Sequence, residues 1–103
     1  MSPKPAPDRA VYGIAVAAEL TGLHPQTLRA YEASQLLTPA RTDGGTRRYS
    51  ANDVAHVQRI TALLGSGLNV VGVKRVLELE AETAQLRAEI EALRDAGSTH
   101  AES

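Results

Sequence analysis

Apolar residues follow helical spacing in several segments, and the first two of these are short. Residues 15–22 and 24–34 predict two helices separated by a turn at Gly22, since glycine commonly ends a helix. Pro25 suits the first position of the second helix, where its missing N–H is not needed. Ala15 occupies the predicted cap of the first helix and has no side-chain oxygen, which predicts a weak start. Two short helices joined by a glycine-containing turn are typical of a helix-turn-helix.

The helical spacing breaks at residues 36–50, where Asp43 and two glycines give a turn signal between extended residues. We therefore predict a β-hairpin here. Ser50 and Asp53 form a variant of the capping box and begin a third helix, which ends at the glycines of residues 65–67. A helix-turn-helix followed by a hairpin is a winged helix-turn-helix, so the fold class is mainly α with a small β-hairpin wing.

A fourth helix follows, and its apolar positions alternate by three and four residues, which is the spacing of a coiled-coil seam. The seam comprises Val76, Leu79, Thr83, Leu86, Ile90 and Leu93. The chain has too little further sequence to bury this seam, so we predict a C-terminal coiled-coil dimerisation helix. The alternative is a helix that folds back on its own domain.

The domain organisation follows from these elements. Residues 11–78 form the predicted winged helix-turn-helix domain and residues 79–96 the dimerisation helix. Residues 1–10 contain three prolines and predict a disordered N-terminal arm, because proline cannot donate a backbone hydrogen bond. Residues 97–103 predict a disordered tail.

Composition excludes several functional classes. The 103 residues contain no Cys, Phe or Trp, so the core must be aliphatic and thiolate metal sites are excluded. The three scattered histidines indicate no metal site, and no cofactor or small-molecule ligand is expected. We find no nucleophile with a partnered base and no phosphate loop, so an enzyme is not expected. No apolar run is long enough for a membrane, and we expect a cytoplasmic, nucleoid-associated protein.

The net charge of −1 hides an asymmetry along the chain. Residues 1–67 hold seven basic and five acidic side chains, whereas residues 68–103 hold four basic and seven acidic ones. Binding to a polyanion depends on a local basic patch, so a near-neutral average does not argue against it.

Two clusters of side chains fall on the elements that a winged helix presents to DNA. In the second helix, Gln26, Thr27 and Arg29 lie near the start, from which side chains reach base edges in the major groove. Arginine can bind guanine or a phosphate in a bidentate way. The remaining candidates are Tyr31 in that helix and Arg41, Arg47, Arg48 and Tyr49 in the wing.

Each candidate has a simpler interpretation. Arg29 could pair with Glu32 or Glu19, Tyr31 could be an aromatic residue at the core edge, and Arg47 and Arg48 could belong to a solvated turn. Their shared location on the two DNA-facing elements favours an interface.

The stretch "TLRAYEASQLLTPARTDGGTRRYS" resembles the signature of the MerR family of transcription regulators. The resemblance spans residues 12 to about 80, and "HPQTLR" with "LNVVGVKRVLELE" is most similar to the HspR heat-shock repressor branch. The resemblance implies a homodimer that binds an inverted repeat at promoters. It also implies that Gln26, Thr27 and Arg29 face bases or phosphates. It implies phosphate contacts chiefly for the candidates that follow, Tyr31, Arg47, Arg48 and Tyr49. In this branch a DnaK-type chaperone acts as co-repressor.

Four positions depart from the family pattern, namely Ala15, Ala30, Gln35 and Thr46. Gln35 stands where a glycine commonly closes the second helix, so we expect a strained or differently shaped turn there. Ala30 replaces a frequent second tyrosine, which would remove one phosphate contact.

The orientation of the dimer helix is left open by the residues. Glu82 and Glu89 would match Arg87 and Arg94 of a partner in a parallel coil, whereas the family pairs these helices antiparallel. Exposed pairs contribute only ~0–1 kcal/mol each and cannot decide the orientation, so we expect antiparallel pairing from the resemblance.

Two rival functions remain open. An excisionase-like DNA-bending factor shares the winged fold, and no residue separates it from a regulator. A coiled-coil adaptor that binds protein is the other rival, and the basic wing argues against it.

Overall fold

The computed structural model describes the backbone of residues 5–102 and the side chains of residues 5–97. The element order is α1 (Ile14–Thr21), α2 (Pro25–Ala33), β1 (Ala40–Arg41), β2 (Arg47–Arg48), α3 (Ala51–Gly65) and α4 (Val70–Glu102). The predicted fold class is confirmed: the chain is mainly helical, with one small antiparallel hairpin and a long C-terminal helix. Within the described residues, no helix combines the length and apolar character that crossing a membrane requires.

Helices α1 and α2 form the helix-turn-helix. Gly22 is left-handed at φ 73°, and its N–H bonds to carbonyls of α1, which ends that helix. The Nδ1 atom of His24 accepts a hydrogen bond from the Gln26 N–H at 3.1 Å, and Pro25 follows at the first helical position as predicted. The predicted cap at Ala15 is wrong: the cap is Gly13, two residues earlier, and it makes no side-chain hydrogen bond.

The end of α2 has the backbone geometry of a Schellman motif. The N–H of Leu36 bonds to the carbonyl of Tyr31 at 2.9 Å, and the N–H of Gln35 bonds to the carbonyl of Glu32 at 2.9 Å. Gln35 has φ 63°, the left-handed region that glycine adopts without penalty. Among the described residues it is the only non-glycine with positive φ, so the turn keeps the shape of a glycine turn with a side chain in it.

We expect Gln35→Gly to raise the free energy of unfolding by ~0.5–1 kcal/mol. An L-residue in the left-handed region costs ~1–2 kcal/mol, and the greater freedom of glycine in the unfolded chain offsets part of that gain. Urea unfolding followed by circular dichroism measures the change. The matched control is Gln58→Gly in the exposed interior of α3, which should lower stability by ~0.5–1 kcal/mol. A loss of stability in both variants would contradict the assignment of strain to Gln35.

The hairpin wing is short and continues into a further backbone pairing. Strands β1 and β2 pair antiparallel, with Arg41 opposite Arg47. Its tip is closed by the N–H of Gly45, which bonds to the carbonyl of Thr42 at 2.8 Å. Beyond β2, Tyr49 exchanges backbone hydrogen bonds with Tyr12, so the segment before α1 is joined to the base of the wing.

Helix α3 begins with the predicted capping box. The Asp53 N–H bonds to Ser50 Oγ at 3.0 Å, and the Ser50 N–H bonds to Asp53 Oδ2 at 2.8 Å. These two backbone N–H groups have no carbonyl partner within the helix, and the capping box supplies an acceptor for each. The core of the first unit combines the buried apolar residues of α1, α2 and α3 with three residues from the chain between α2 and α3. It comprises Ala17, Ala18, Leu28, Tyr31, Leu36, Leu37, Tyr49, Val57, Ile60 and Leu63.

The chain forms two structural units, Met1–Val70 and Val71–Ser103, and α4 makes up the described part of the second. Helix α4 differs from the predicted dimerisation helix at residues 79–96, because helical backbone extends to Glu102 through most of the predicted tail at residues 97–103. Residue 103 lies outside the described residues.

The predicted disordered arm at residues 1–10 lies outside the described residues for its first four positions. The rest departs from the prediction. Residues 6–9 form a turn in which the Arg9 N–H bonds to the Ala6 carbonyl at 2.9 Å. The carbonyl of Pro7 accepts a hydrogen bond from the Asn52 N–H at 2.9 Å, which ties the turn to the first turn of α3. Prolines retain their carbonyl acceptors, and this explains the attachment.

Candidate nucleic-acid interface

The start of α2 presents polar side chains to solvent. Gln26 and Arg29 are exposed, and Arg29 Nη1 donates to Gln26 Oε1 at 2.9 Å. Thr27 is half-buried on the same first turn. The anticipated alternative for Arg29, an ion pair with Glu32 or Glu19, does not occur among the described contacts. Its remaining guanidinium donors can serve a planar acceptor such as a guanine edge or a phosphate.

The two predicted tyrosine contacts lie in the core. Tyr31 is 8% exposed, and its hydroxyl is 2.9 Å from Thr61 Oγ1. Because the Thr61 hydroxyl donates to the Val57 carbonyl, it accepts from Tyr31. Tyr49 is 1% exposed, and its hydroxyl has no hydrogen-bond partner among the described residues. Both rings pack in the core. A phosphate contact would have to reach either hydroxyl at a buried position, so the phosphate contacts of Tyr31 and Tyr49 stay predictions.

The wing arginines on one face of the hairpin contact α2 through a single carboxylate. Glu32 Oε1 accepts from Arg47 Nε at 2.8 Å and from Arg47 Nη2 at 2.7 Å. Arg41 Nη2 is 3.1 Å from Glu32 Oε2, and Arg41 Nη1 donates to the Gly45 carbonyl at 3.0 Å. The side chains of Arg41 and Arg47 remain 45% and 29% exposed, so both keep a solvent-facing side.

Arg48 lies on the other face of the wing, because successive side chains of a strand alternate. Its Nη1 donates to the Arg47 carbonyl at 3.3 Å and lies 3.3 Å from the position that a Cβ on Gly13 would occupy. The guanidinium of Arg48 therefore sits close against the backbone before α1. Arg47 and Arg48 are adjacent in the sequence and look like one basic pair, but their side chains have different neighbours.

Electrostatics in this region favour the charged forms of the ion-paired groups. The hydrogen bond from Arg47 lowers the pKa of Glu32, with desolvation opposing it and the charges of Arg47 and Arg41 adding to it. The same bond raises the pKa of Arg47. Burial raises the pKa of the Tyr49 hydroxyl. Since the folded-state pKa of Glu32 is the lower one, its contribution to stability is present above the ordinary carboxyl pKa and is lost as pH falls through the lowered value.

The predicted dimerisation seam lies on α4. Leu79 is 43% exposed, Leu86 is 58%, Ile90 is 46% and Leu93 is 73%. Thr83 is exposed and its hydroxyl donates to the Leu79 carbonyl at 2.7 Å, whereas Val76 is half-buried. In a single chain these large apolar side chains remain in water, which is unfavourable by ~25 cal/mol for each Å² that a partner could cover.

Two structural features of this region have no clear signal in the sequence. The first feature is the set of partners of Glu32. Spacing along the helix suggests only Arg29 as its partner, whereas its actual partners lie 9 and 15 residues away in the wing. The backbone bridge between Tyr12 and Tyr49 is the other feature. Helical spacing carries no information about contacts between elements. The sequence shows two acidic residues near the three wing arginines, Glu32 and Asp43, and does not indicate which of them pairs with an arginine.

Comparison with known proteins identifies the relatives of this arrangement. The family model described as "MerR HTH family regulatory protein" matches residues 12–80. The chain is 49% identical over 82 residues to a Streptomyces coelicolor protein that is named as a heat shock protein, HspR. The match covers 79% of this chain and 54% of that protein. It is 37% identical over 82 residues to the HTH-type transcriptional regulator GlnR of Bacillus anthracis, covering 77% of this chain and 64% of GlnR.

The structural likeness agrees with these relatives. The crystal structure of HiNmlR, described as a MerR family regulator lacking the sensor domain and bound to promoter DNA, has a TM-score of 0.61 and 26% identity. The likeness covers 81% of this chain and 75% of that one. The chain thus spans between half and two thirds of the two curated relatives, and three quarters of the DNA-bound structure.

Proposed function

The chain belongs to the MerR family of helix-turn-helix regulatory proteins, and from this premise we propose that it is a transcriptional regulator that represses heat-shock and chaperone genes. The observation that carries the proposal is the 49% identity with HspR over 79% of the chain. We further propose that it binds an inverted repeat in promoter DNA as a homodimer.

In the proposed complex, α2 enters the major groove with its N-terminal turn toward the bases. Gln26, Thr27 and Arg29 would face base edges or nearby phosphates, and their positions on the first two turns of α2 support this role. The exposed sides of Arg41, Arg47 and Arg48 would follow the phosphate backbone. The bases would therefore be read by the helix, and the wing would fix its register.

The proposed homodimer forms through α4. The seam defined above leaves four large apolar side chains exposed in one chain, and a second copy offers the matching surface. We propose antiparallel pairing, in line with the family resemblance. A two-fold symmetric dimer requires two half-sites related by the same symmetry, which is an inverted repeat.

We also propose a cytoplasmic, nucleoid-associated location, where promoter DNA is found, and a DnaK-type chaperone as co-repressor. The chaperone proposal rests on the likeness to HspR alone. Comparing DNA affinity with and without purified chaperone tests it, and an unchanged affinity would remove the chaperone from the proposal.

Selection of bound duplexes from a random DNA pool, with the purified protein at stated salt, tests the proposed function. We expect enrichment of one inverted repeat, with half-sites at a fixed spacing set by the dimer. In the genome, the enriched repeat should lie in promoters of chaperone genes.

Other selection results would contradict parts of the proposal. A single half-site or a direct repeat would contradict the symmetric dimer. An enriched repeat located elsewhere would retain sequence-specific regulation and reject the heat-shock role. Absence of enrichment both alone and with the chaperone would favour the protein-binding adaptor.

A further inference from the structure

We propose that Glu32 is a positioning residue, which holds Arg41 and Arg47 of the wing in the geometry needed for phosphate binding and fixes the wing relative to α2. This inference deepens the proposed function and rests on it. The carboxylate bonds to Arg47 at 2.7 and 2.8 Å and to Arg41 at 3.1 Å. One acidic residue of α2 thus contacts one arginine from each strand of the hairpin.

The pairing register of the hairpin explains why a carboxylate is needed. Arg41 and Arg47 are directly opposite each other, so their side chains share one face of the sheet. Like charges in opposite positions repel, and long arginine side chains have many rotamers. Glu32 lies between the two guanidinium groups, so it offsets their repulsion and selects one rotamer of each.

The hydrogen bonds leave donors for a ligand. Arg47 uses Nε and Nη2 toward Glu32, so its Nη1 hydrogens are left for a phosphate. Arg41 uses Nη1 toward the Gly45 carbonyl and Nη2 toward Glu32, and each of these nitrogens carries a second hydrogen. Both guanidinium groups are therefore oriented before DNA arrives, which lowers the entropy lost on binding.

The location of Glu32 also connects the two halves of the interface. It follows Arg29 by three residues in the same helix, so it lies almost one turn further along α2. A wing fixed to α2 contacts phosphates at a set distance from the bases that the helix reads. Sequence-specific binding requires both contacts at once, whereas non-specific binding requires only positive charge.

The test is Glu32→Gln in the full chain, with operator and scrambled duplexes measured by fluorescence anisotropy across a salt series. The operator is the repeat enriched in the selection above. The matched control is Glu19→Gln, which removes the same charge from an exposed position of α1. Circular dichroism and thermal unfolding report whether each variant is folded.

We expect Glu32→Gln to lower operator affinity about tenfold or more, because it removes charged hydrogen bonds to the wing arginines. Scrambled-duplex affinity should be unchanged or higher, because one negative charge beside those arginines is lost. Glu19→Gln should leave the ratio of the two affinities within about twofold of the parent. In a background that carries Arg41→Ala and Arg47→Ala, Glu32→Gln should have little further effect on that ratio, because the residues through which it acts are absent.

Several outcomes would overturn the inference. Tighter operator binding by Glu32→Gln would show that Glu32 competes with phosphate for the arginines. An unchanged ratio, or an equal effect in the background lacking both arginines, would show that Glu32 does not act through them. If Glu32→Gln does not fold, Arg47→Lys gives the second measurement: it keeps the charge but cannot make the bidentate contact with Glu32, and an unaltered ratio there would also reject the inference. A parent protein that fails to distinguish operator from scrambled DNA would instead reject the proposed function itself.

Discussion

Reversing both adjacent wing charges, with Arg47→Glu and Arg48→Glu, should lower DNA affinity by about 100-fold or more on operator and scrambled duplexes alike. The slope of log affinity against log salt should fall by ~0.9 for each phosphate that is no longer neutralised, which is about 4 units for two arginines in each protomer of a dimer. The two arginines lie on opposite faces of the wing, so both faces of the proposed phosphate-binding surface lose a positive charge and gain a negative one. Anisotropy titrations over a salt series measure both quantities.

The controls separate electrostatics from folding. Arg47→Glu places a carboxylate against Glu32, so the single variants Arg47→Glu and Arg48→Glu should be compared by thermal unfolding before binding is interpreted. Arg9→Glu reverses an exposed charge outside α2 and the wing, and we expect a much smaller effect from it. Undiminished DNA binding by a folded double variant would show that the wing is not the phosphate-binding element.

The helices of the first unit were predictable because their signals are local. Ser50 and Asp53 are three residues apart and bond to each other's backbone, so their pattern can be read directly from the sequence. His24 with Pro25, and Gly22 at the turn, give equally local signals. The cap of α1 is harder to locate, since neither Gly13 nor Ala15 offers a side-chain oxygen to mark the position.

The site was predicted less fully, because its chemistry depends on contacts between elements. The sequence places Arg41, Arg47 and Arg48 in the wing, but gives no sign that Glu32 holds two of them. A tyrosine beside arginines also suggests a phosphate contact, whereas Tyr49 is buried. Burial follows from tertiary packing, which one sequence does not reveal for a side chain with both an apolar ring and a polar hydroxyl.

The second unit shows a different limit. The heptad spacing of α4 indicates the apolar seam, but no residue near position 97 forces the helix to stop in the described backbone. A glycine at residue 97 is a stop signal in the sequence, yet a glycine within a helix costs only ~1 kcal/mol and does not by itself end one. When no capping residue marks the end of a helix, its end is therefore harder to predict from the sequence than its apolar face.

Arg29→Ala should cost ~1–3 kcal/mol of operator binding and relax the preference at one base pair of each half-site. Arg29 is exposed on the second turn of α2, and its described hydrogen bond is to Gln26, so truncation leaves no buried charge behind. The Gln26 contact is an exposed pair three residues apart and contributes at most ~0.5 kcal/mol to stability, so the fold should be retained. Repeating the random-pool selection with the variant measures the change in preference.

Arg29→Lys distinguishes base reading from phosphate binding. Lysine keeps the positive charge but lacks the planar fork that matches two acceptors of guanine. If Arg29 reads a base, Arg29→Lys should retain the salt slope of the parent. Like Arg29→Ala, it should lose the preference at the base pair that Arg29 reads. If Arg29→Ala lowers the affinity for every sequence by the same factor, and Arg29→Lys restores that affinity, Arg29 is a phosphate contact. Base reading by α2 would then fall to Gln26 and Thr27, the two other candidates, which lie on its first turn.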